Sequence, residues 1–126
     1  MPIARIDTTR GKSQAHMQAI SDAVYDAMIA IGVPQNDRFQ VITEHDPERL
    51  VFDRHYLGIE RSSDFVLIQI TLNEGRTLDL KRALYKGIAD GIHEKTGLRR
   101  EDVFINLVEV RKENWSFGNG EAQYAT

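Results

Sequence analysis

The chain contains one structural unit twice, and this internal repeat limits the folds that it can adopt. Residues 11–13 (Gly-Lys-Ser) recur 64 positions later as residues 75–77 (Gly-Arg-Thr). After a slip of one residue the offset is 65, so that Phe39 corresponds to Phe104. Each copy has the order of patterns strand, helix, strand, and we therefore interpret the chain as a duplicated β-α-β unit.

Local patterns predict the elements of the first copy. Residues 3–9 alternate apolar and polar side chains like a half-buried strand, and residues 39–43 resume a strand. Between these strands, Ser13 is a suitable N-terminal cap, and Gly32 stands where a helix usually ends. Apolar residues recur along this helix at helical spacing: Met17, Ile20, Val24, Met28 and Ile31.

The second copy follows the same plan. Residues 65–72 and 103–110 are predicted strands, and Thr77 caps a helix that stops at Gly97. Its apolar stripe contains Leu84, Ile88 and Ile92. Residues 44–64 between the copies are rich in charge and are predicted to form an extended loop or a short hairpin.

Two such units predict an α+β fold. The strands of each unit should be parallel, which gives a four-stranded mixed sheet with two helices on one face. We expect one domain over residues 1–126, with halves at about 1–43 and 65–111 and a C-terminal aromatic segment at 112–126. No further helix is available for the other sheet face, so the sequence predicts oligomerisation.

Composition excludes several classes of function. The chain has no cysteine, which excludes disulfides, thiolate zinc sites and a cysteine nucleophile. Its net charge of −3, with mixed signs throughout, argues against a nucleic-acid partner. No apolar run approaches the roughly 18–20 residues of a membrane span, and no signal-peptide pattern is visible. We expect a cytoplasmic protein without a membrane partner. The histidines lack metal-ligand spacing, so we expect no metal.

Pro2 is a candidate for acid–base chemistry. If Met1 is removed, Pro2 becomes an amino-terminal secondary amine, and the reference pKa of an α-amino group is about 7.7–8.0. Such a group can accept or donate a proton near neutral pH without a histidine or a metal. The alternative interpretation is a proline at the start of a strand, where no ladder hydrogen bond is required of it.

Two segments sharpen this interpretation. Residues 33–38 read Val-Pro-Gln-Asn-Asp-Arg, and residues 113–124 read Glu-Asn-Trp-Ser-Phe-Gly-Asn-Gly-Glu-Ala-Gln-Tyr. Together with Pro2 and the duplicated unit, they resemble the tautomerase superfamily, in the branch that contains malonate semialdehyde decarboxylase. The resemblance implies a cofactor-free homotrimer that acts on a small carboxylate-bearing substrate, with the proline on the floor of a small pocket.

The resemblance also implies roles for individual residues. Pro2 is the catalytic amine, Asp37 is a carboxylate that assists water, and Arg76 binds the substrate carboxylate. Trp115 and Phe117 form a hydrophobic wall, with Tyr124 where another aromatic residue is expected. One departure is that the decarboxylase pattern has a second arginine where this chain has Glu74, and a carboxylate there would repel an acidic substrate.

Simpler interpretations of these residues stay open at this stage. Asp37 corresponds to Asp102 in the second copy, which suggests a turn or cap for both. Arg76 corresponds to Lys12 and need bind nothing. Aromatic residues after a last strand, such as Trp115 and Phe117, often serve packing or subunit contacts.

The sequence therefore predicts a cofactor-free tautomerase that interconverts keto and enol forms of small 2-oxo acids, with Pro2 as general base. One alternative is a malonate semialdehyde decarboxylase-like lyase or hydratase, with a cationic Pro2 and Asp37 activating water. A second alternative is a non-catalytic trimeric protein that binds a small molecule.

Overall fold

The helices and strands follow the predicted order. A computed structural model describes residues 2–125, so Met1, whose removal the prediction for Pro2 requires, and Thr126 lie outside the described residues. The elements are β1 (Ile3–Thr9), α1 (Gln14–Ala30), β2 (Gln40–His45), β3 (Val66–Asn73), α2 (Leu78–Thr96) and β4 (Val103–Val110).

The sheet topology confirms the duplicated β-α-β unit. The strand order is β2-β1-β3-β4, and the strands of each unit are parallel, β1 with β2 and β3 with β4. The two units are joined by antiparallel pairing of β1 with β3, in a register that places Ile3 opposite Thr71. The result is the predicted four-stranded mixed sheet.

Capping side chains start both helices where the sequence predicts. Ser13 Oγ accepts a hydrogen bond from the backbone nitrogen of His16 at 3.0 Å, and Thr77 Oγ1 accepts one from Leu80 at 3.2 Å. Each bond satisfies a backbone donor that has no partner within the helix. Gly97 ends α2 in the left-handed conformation, with φ of 77°, which costs glycine no steric strain.

The structure corrects the predicted bounds of two strands and the predicted form of the segment between the units. β2 begins at Gln40 and extends to His45, and β3 is shifted by one residue to end at Asn73. The hairpin alternative for residues 44–64 is wrong, because residues 46–64 form a loop with two short 3-10 turns. The side chain of Arg61 stabilises this loop in place of strand pairing. Its Nη1 donates to the carbonyls of Asp53, Tyr56 and Ile59, which are therefore satisfied without a second strand.

The hydrophobic core lies between the helices and one face of the sheet. The helix stripes and the inward residues of β1 and β3 are buried there, with Leu84, Ile88 and Ile92 at 0% exposure. The helices approach closely at two glycines, since a Cβ added at Gly87 or Gly91 would lie 3.2 Å from the Cβ of Ala27 or Ala23. This packing confirms that both helices cover the same face.

The opposite sheet face is left uncovered by the described residues. Arg5, Gln69 and Asn106 are exposed in one row across β1, β3 and β4. Beside them Phe104 is 42% exposed and Val108 is 38% exposed, so the surface is mixed rather than uniformly polar. Neither helix within residues 2–125 is long and apolar enough to cross a membrane.

We expect Ile88→Ala to lower the free energy of unfolding by about 2–5 kcal/mol, because it removes buried methyl groups and leaves a cavity between helix and sheet. Urea denaturation followed by circular dichroism measures this loss. Val51→Ala is the control, since Val51 is 90% exposed and should change stability by less than about 0.5 kcal/mol. A similar stability of the two variants would contradict the assignment of Ile88 to the core.

Candidate active site

The segments that carry the predicted site residues meet at one edge of the sheet. β1 begins at this edge, and the antiparallel β3 ends there, with Asn73 opposite Val110 at the end of β4. The chain enters β2 at the same edge, where the backbone nitrogen of Ala4 donates to the carbonyl of Phe39 at 3.0 Å. Pro2 therefore lies near the segments that precede β2 and follow β3 and β4.

A cavity of about 200 Å³ opens at this edge and includes Pro2 in its wall. Its lining residues are Pro2, Ile3, Phe39, Trp115, Ser116 and Phe117. Pro2 itself is buried. The structure thus brings together three of the six predicted site residues, in a largely apolar cavity.

The aromatic residues form a connected group. The rings of Trp115 and Phe117 are stacked at 5.5 Å between centroids, and Tyr124 meets Phe117 edge-on at 4.8 Å. The Gln123 side chain closes the segment, accepting from the backbone nitrogen of Phe117 at 2.9 Å and donating to the carbonyl of Gly118 at 2.8 Å. Tyr124 supports Phe117 and does not line the cavity.

Arg76 is connected to the cavity wall through Asn73. Nη1 of Arg76 donates to the Asn73 carbonyl at 3.1 Å, and Nε1 of Trp115 donates to Oδ1 of Asn73 at 2.7 Å. Arg76 does not line the cavity itself. Asn73 is a site residue that sequence reasoning missed. The amide was visible beside the turn, but no local pattern indicates a bond to a residue 42 positions away.

The charge of Arg76 is not cancelled by an ion pair within residues 2–125. Glu109 is close enough for its pKa to respond to Arg76, but it pairs with Lys81 at 2.6 Å. The hydrogen bond from Lys81 holds the pKa of Glu109 below its usual value, with smaller contributions from the Gly75 backbone and Arg76. The guanidinium of Arg76, one residue before the cap of α2, is thus available to an anion, and the helix N-terminus adds partial positive charge.

The other arginine of the sequence motifs has a different environment. Arg38 donates through Nη2 to Ser21 at 2.8 Å and to Asp22 at 2.7 Å, and it stacks over the ring of Tyr25 at 4.5 Å. Its hydrogen bond is the main cause that lowers the pKa of Asp22. Arg38 therefore joins the segment before β2 to α1.

Asp37 lies in the turn that leads to β2. Its backbone nitrogen donates to the carbonyl of Pro34 at 3.3 Å, and the residue is half-buried. It precedes Phe39, which lines the cavity, by two positions, while Asp37 itself is not a lining residue. The structure places it near the same edge as Pro2.

The internal repeat provides a comparison within the molecule. Asp102, the counterpart of Asp37, is 1% exposed and accepts hydrogen bonds from the backbone nitrogen and hydroxyl of Ser62, both at 2.6 Å. Lys12, the counterpart of Arg76, pairs with Asp64 at 2.6 Å. At this edge, which combines parts of both copies, both positions have structural partners, whereas Arg76 has no ion-pair partner in the described part of the chain.

A second and larger cavity of about 380 Å³ occupies the repeat-related edge. It is lined by Phe104 and Leu67, the counterparts of Phe39 and Ile3, together with residues of the inter-unit loop. The counterpart of Pro2 is Val66, whose nitrogen is an internal peptide amide and cannot act as a base. No group of three or more histidine, aspartate or glutamate side chains within residues 2–125 is arranged to hold a metal ion. Of the two cavities, the smaller one has Pro2 in its wall.

Comparison with known proteins agrees with this geometry. A family model described as tautomerase enzyme matches residues 37–118. The probable tautomerase YusQ of Bacillus subtilis (strain 168) is 42% identical over 124 residues, which is 98% of each chain.

Solved structures give the same result. A crystal structure of the FG41 malonate semialdehyde decarboxylase, inhibited by 3-bromopropiolate, has a TM-score of 0.90 at 37% identity and covers 97% of this chain and 93% of its own. A fused 4-OT described as a symmetric trimer has a TM-score of 0.80 at 24% identity, covers 98% of each chain and shows the same fold. The family match and the likeness to YusQ over nearly the whole length show that the chain belongs to the tautomerase family.

Proposed function

We propose that this protein is a cofactor-free tautomerase that interconverts the keto and enol forms of small 2-oxo acids, with Pro2 as general base. The observation that carries the proposal is the position of Pro2, buried in an apolar cavity whose tryptophan is hydrogen-bonded to the same residue as Arg76. An amine, an aromatic wall and an available guanidinium are thereby combined at one edge of the sheet.

The mechanism requires that the Pro2 amine is neutral at the working pH. Its reference pKa of about 7.7–8.0 is already close to neutrality. Burial beside Phe39, Trp115 and Phe117 disfavours the charged ammonium form and so favours the neutral amine. Removal of Met1 is a condition of this chemistry, because an acylated proline nitrogen has no basic lone pair.

The reaction then consists of two proton transfers. The Pro2 nitrogen takes the proton from the enol oxygen of the substrate, and the resulting enolate accepts a proton from the prolinium at carbon 3 to give the 2-oxo acid. In the reverse direction the same nitrogen takes the carbon-bound proton. Arg76 holds the carboxylate and stabilises the negative charge that develops on the neighbouring oxygen.

The cavity also supports the proposed substrate class. A volume of about 200 Å³ fits a small molecule, and its lining provides stacking surfaces for an aryl or unsaturated side chain. We expect the substrate to carry a carboxylate because no ion pair within residues 2–125 cancels the positive charge of Arg76. Phenylenolpyruvate and 2-hydroxymuconate have these features. Family membership and the name of YusQ as a probable tautomerase support the reaction type.

Replacement of Pro2 tests the role of the amine. We expect Pro2→Ala to lower kcat/KM for ketonisation of phenylenolpyruvate by about 10²-fold or more, because it replaces the secondary amine and alters the position of the base. Ultraviolet absorbance follows the loss of the enol, and intact mass verifies that Met1 is absent from both proteins. Val51→Ala should retain full activity. Equal rates for Pro2→Ala and the unaltered protein would rule out the proposed base.

We also propose that the protein is a homotrimer. The uncovered sheet face, with the exposed side chains of Phe104 and Val108, provides a surface for association. The likeness in fold to a 4-OT described as a symmetric trimer supports the number of subunits. Light scattering should give three times the chain mass of 14.4 kDa. A monomeric mass at micromolar concentration would contradict the assembly.

A lyase or hydratase is the second candidate function, and the likeness to the FG41 malonate semialdehyde decarboxylase favours it. In that reaction Pro2 would be cationic and Asp37 would activate water. Glu74 argues against decarboxylation, because this exposed carboxylate stands where the decarboxylase pattern has an arginine. An NMR titration of the Pro2 nitrogen separates the mechanisms: a pKa below 7 favours the base, and a pKa well above 7 favours the cation.

Replacement of Asp37 separates the two reactions by activity. If the protein is a tautomerase, we expect Asp37→Asn to change kcat/KM for phenylenolpyruvate by less than about fivefold, since the general base is Pro2. If it is a decarboxylase or hydratase, the same change should abolish turnover of malonate semialdehyde. Both substrates are measured with one preparation of each protein. Complete loss of ketonisation with Asp37→Asn would contradict a mechanism in which Pro2 alone transfers the proton.

A further inference from the structure

We propose that Asn73 is a positioning residue of this site, which sets the orientation of Trp115 relative to Arg76. The inference rests on the proposed function and assigns a role to a residue outside the set predicted from the sequence. Asn73 is the last residue of β3 and contacts both side chains, one through its amide and one through its backbone.

The chemistry of the partners determines how the Asn73 amide is oriented. An indole N–H can only donate, so the bond of 2.7 Å from Trp115 requires the amide oxygen rather than the amide nitrogen. A guanidinium can also only donate, and Arg76 uses the Asn73 carbonyl at 3.1 Å. One residue thus supplies an acceptor to both side chains and connects them.

Asn73 is well placed for this role because its backbone is rigid. It is paired with Val110 in the β3–β4 register, and the next backbone nitrogen, that of Glu74, donates to the Val110 carbonyl at 2.9 Å. Glu109 of β4 contacts the same turn at the backbone of Gly75, and it pairs with Lys81 in the first turn of α2 at 2.6 Å. Trp115 is therefore hydrogen-bonded to the end of a strand that is paired with β4, and not to a loop residue.

The repeat indicates that the fold does not require an asparagine at this position. The counterpart of Asn73 in the first copy is Thr9, whose hydroxyl donates to the carbonyl of Ser63 at 3.3 Å. A strand of the same register thus ends with a different residue, whose side chain binds the loop between the units. The amide of Asn73 instead reaches the aromatic wall of the cavity.

Loss of the amide oxygen should release the indole. The partly buried N–H would lose its acceptor, and the ring would leave the stacked arrangement with Phe117 that shapes the cavity. A displaced wall weakens substrate binding without removing the base or the guanidinium. The effect should therefore be on KM more than on kcat.

Trp115 makes the test direct, because it is the one tryptophan of the chain and the fluorescence therefore reports on the environment of this side chain. In the full-length protein, Asn73→Leu removes the acceptor at similar volume, and Asn73→Asp retains it. We expect Asn73→Leu to shift the emission to longer wavelength, to increase acrylamide quenching and to raise KM about tenfold, with kcat changed less than about threefold. Asn73→Asp should restore the emission of the unaltered protein.

Gln18→Leu is the control, since it removes an exposed side-chain amide from α1. Gln18 donates to Asp22 at 3.0 Å and does not line the cavity. It should change neither emission nor KM. If Asn73→Leu does not fold, as judged by circular dichroism, Asn73→Ala is measured in its place.

The outcomes separate this inference from the proposed function. Unchanged emission in Asn73→Leu would overturn the contact, and changed emission with unchanged KM would overturn the positioning role. Failure of Asn73→Asp to restore the emission would also count against the acceptor. If the unaltered protein turns over no 2-oxo acid, the proposed function fails, while the emission of Asn73→Leu still tests whether Asn73 positions Trp115.

Discussion

The antiparallel pairing of β1 with β3 is the contact on which the rest of the structure depends. Each β-α-β unit consists of two parallel strands and one helix. A single unit cannot bury the apolar surfaces of its helix and its strands by itself. Pairing of Ile3 with Thr71 joins the units, brings both helices onto one face and places the start of β1 beside the ends of β3 and β4. A slip of one residue would turn the inward side chains of one unit to the uncovered face.

The same pairing produces two similar edges of the sheet, whose residues have different partners. Each edge combines the strand starts of one unit with the turn and helix cap of the other, and the repeat produces two such edges. At one edge Asp102 and Lys12 are bound to Ser62 and Asp64, and they stabilise the loop between the units. At the other edge Pro2 precedes the corresponding strand, and the Arg76 guanidinium has no ion-pair partner in the described residues.

The electrostatics of the smaller cavity follow from which charges are already paired. Lys81 pairs with Glu109, and Arg38 pairs with Asp22, so these groups contribute little net charge to the edge. Arg76 keeps its charge beside a cavity with a mainly apolar lining. Such an arrangement supports the proposal of an anion at the rim and a neutral amine in the wall, because burial of a charged ammonium is costly.

The sequence by itself determined the units, their order and the helix caps, because these depend on residues within a few positions of each other. Ser13, Thr77 and Gly97 act locally, and the alternation in residues 3–9 is a property of one strand. The motifs also pointed to Pro2, Trp115 and Phe117. Only the tertiary structure decided that Asn73 binds Trp115 across 42 positions, since this contact depends on strand register and side-chain direction. It likewise decided that Arg38 is held by α1 while Arg76 has no ion pair in the described residues, because a charge is cancelled by whatever the fold brings within reach.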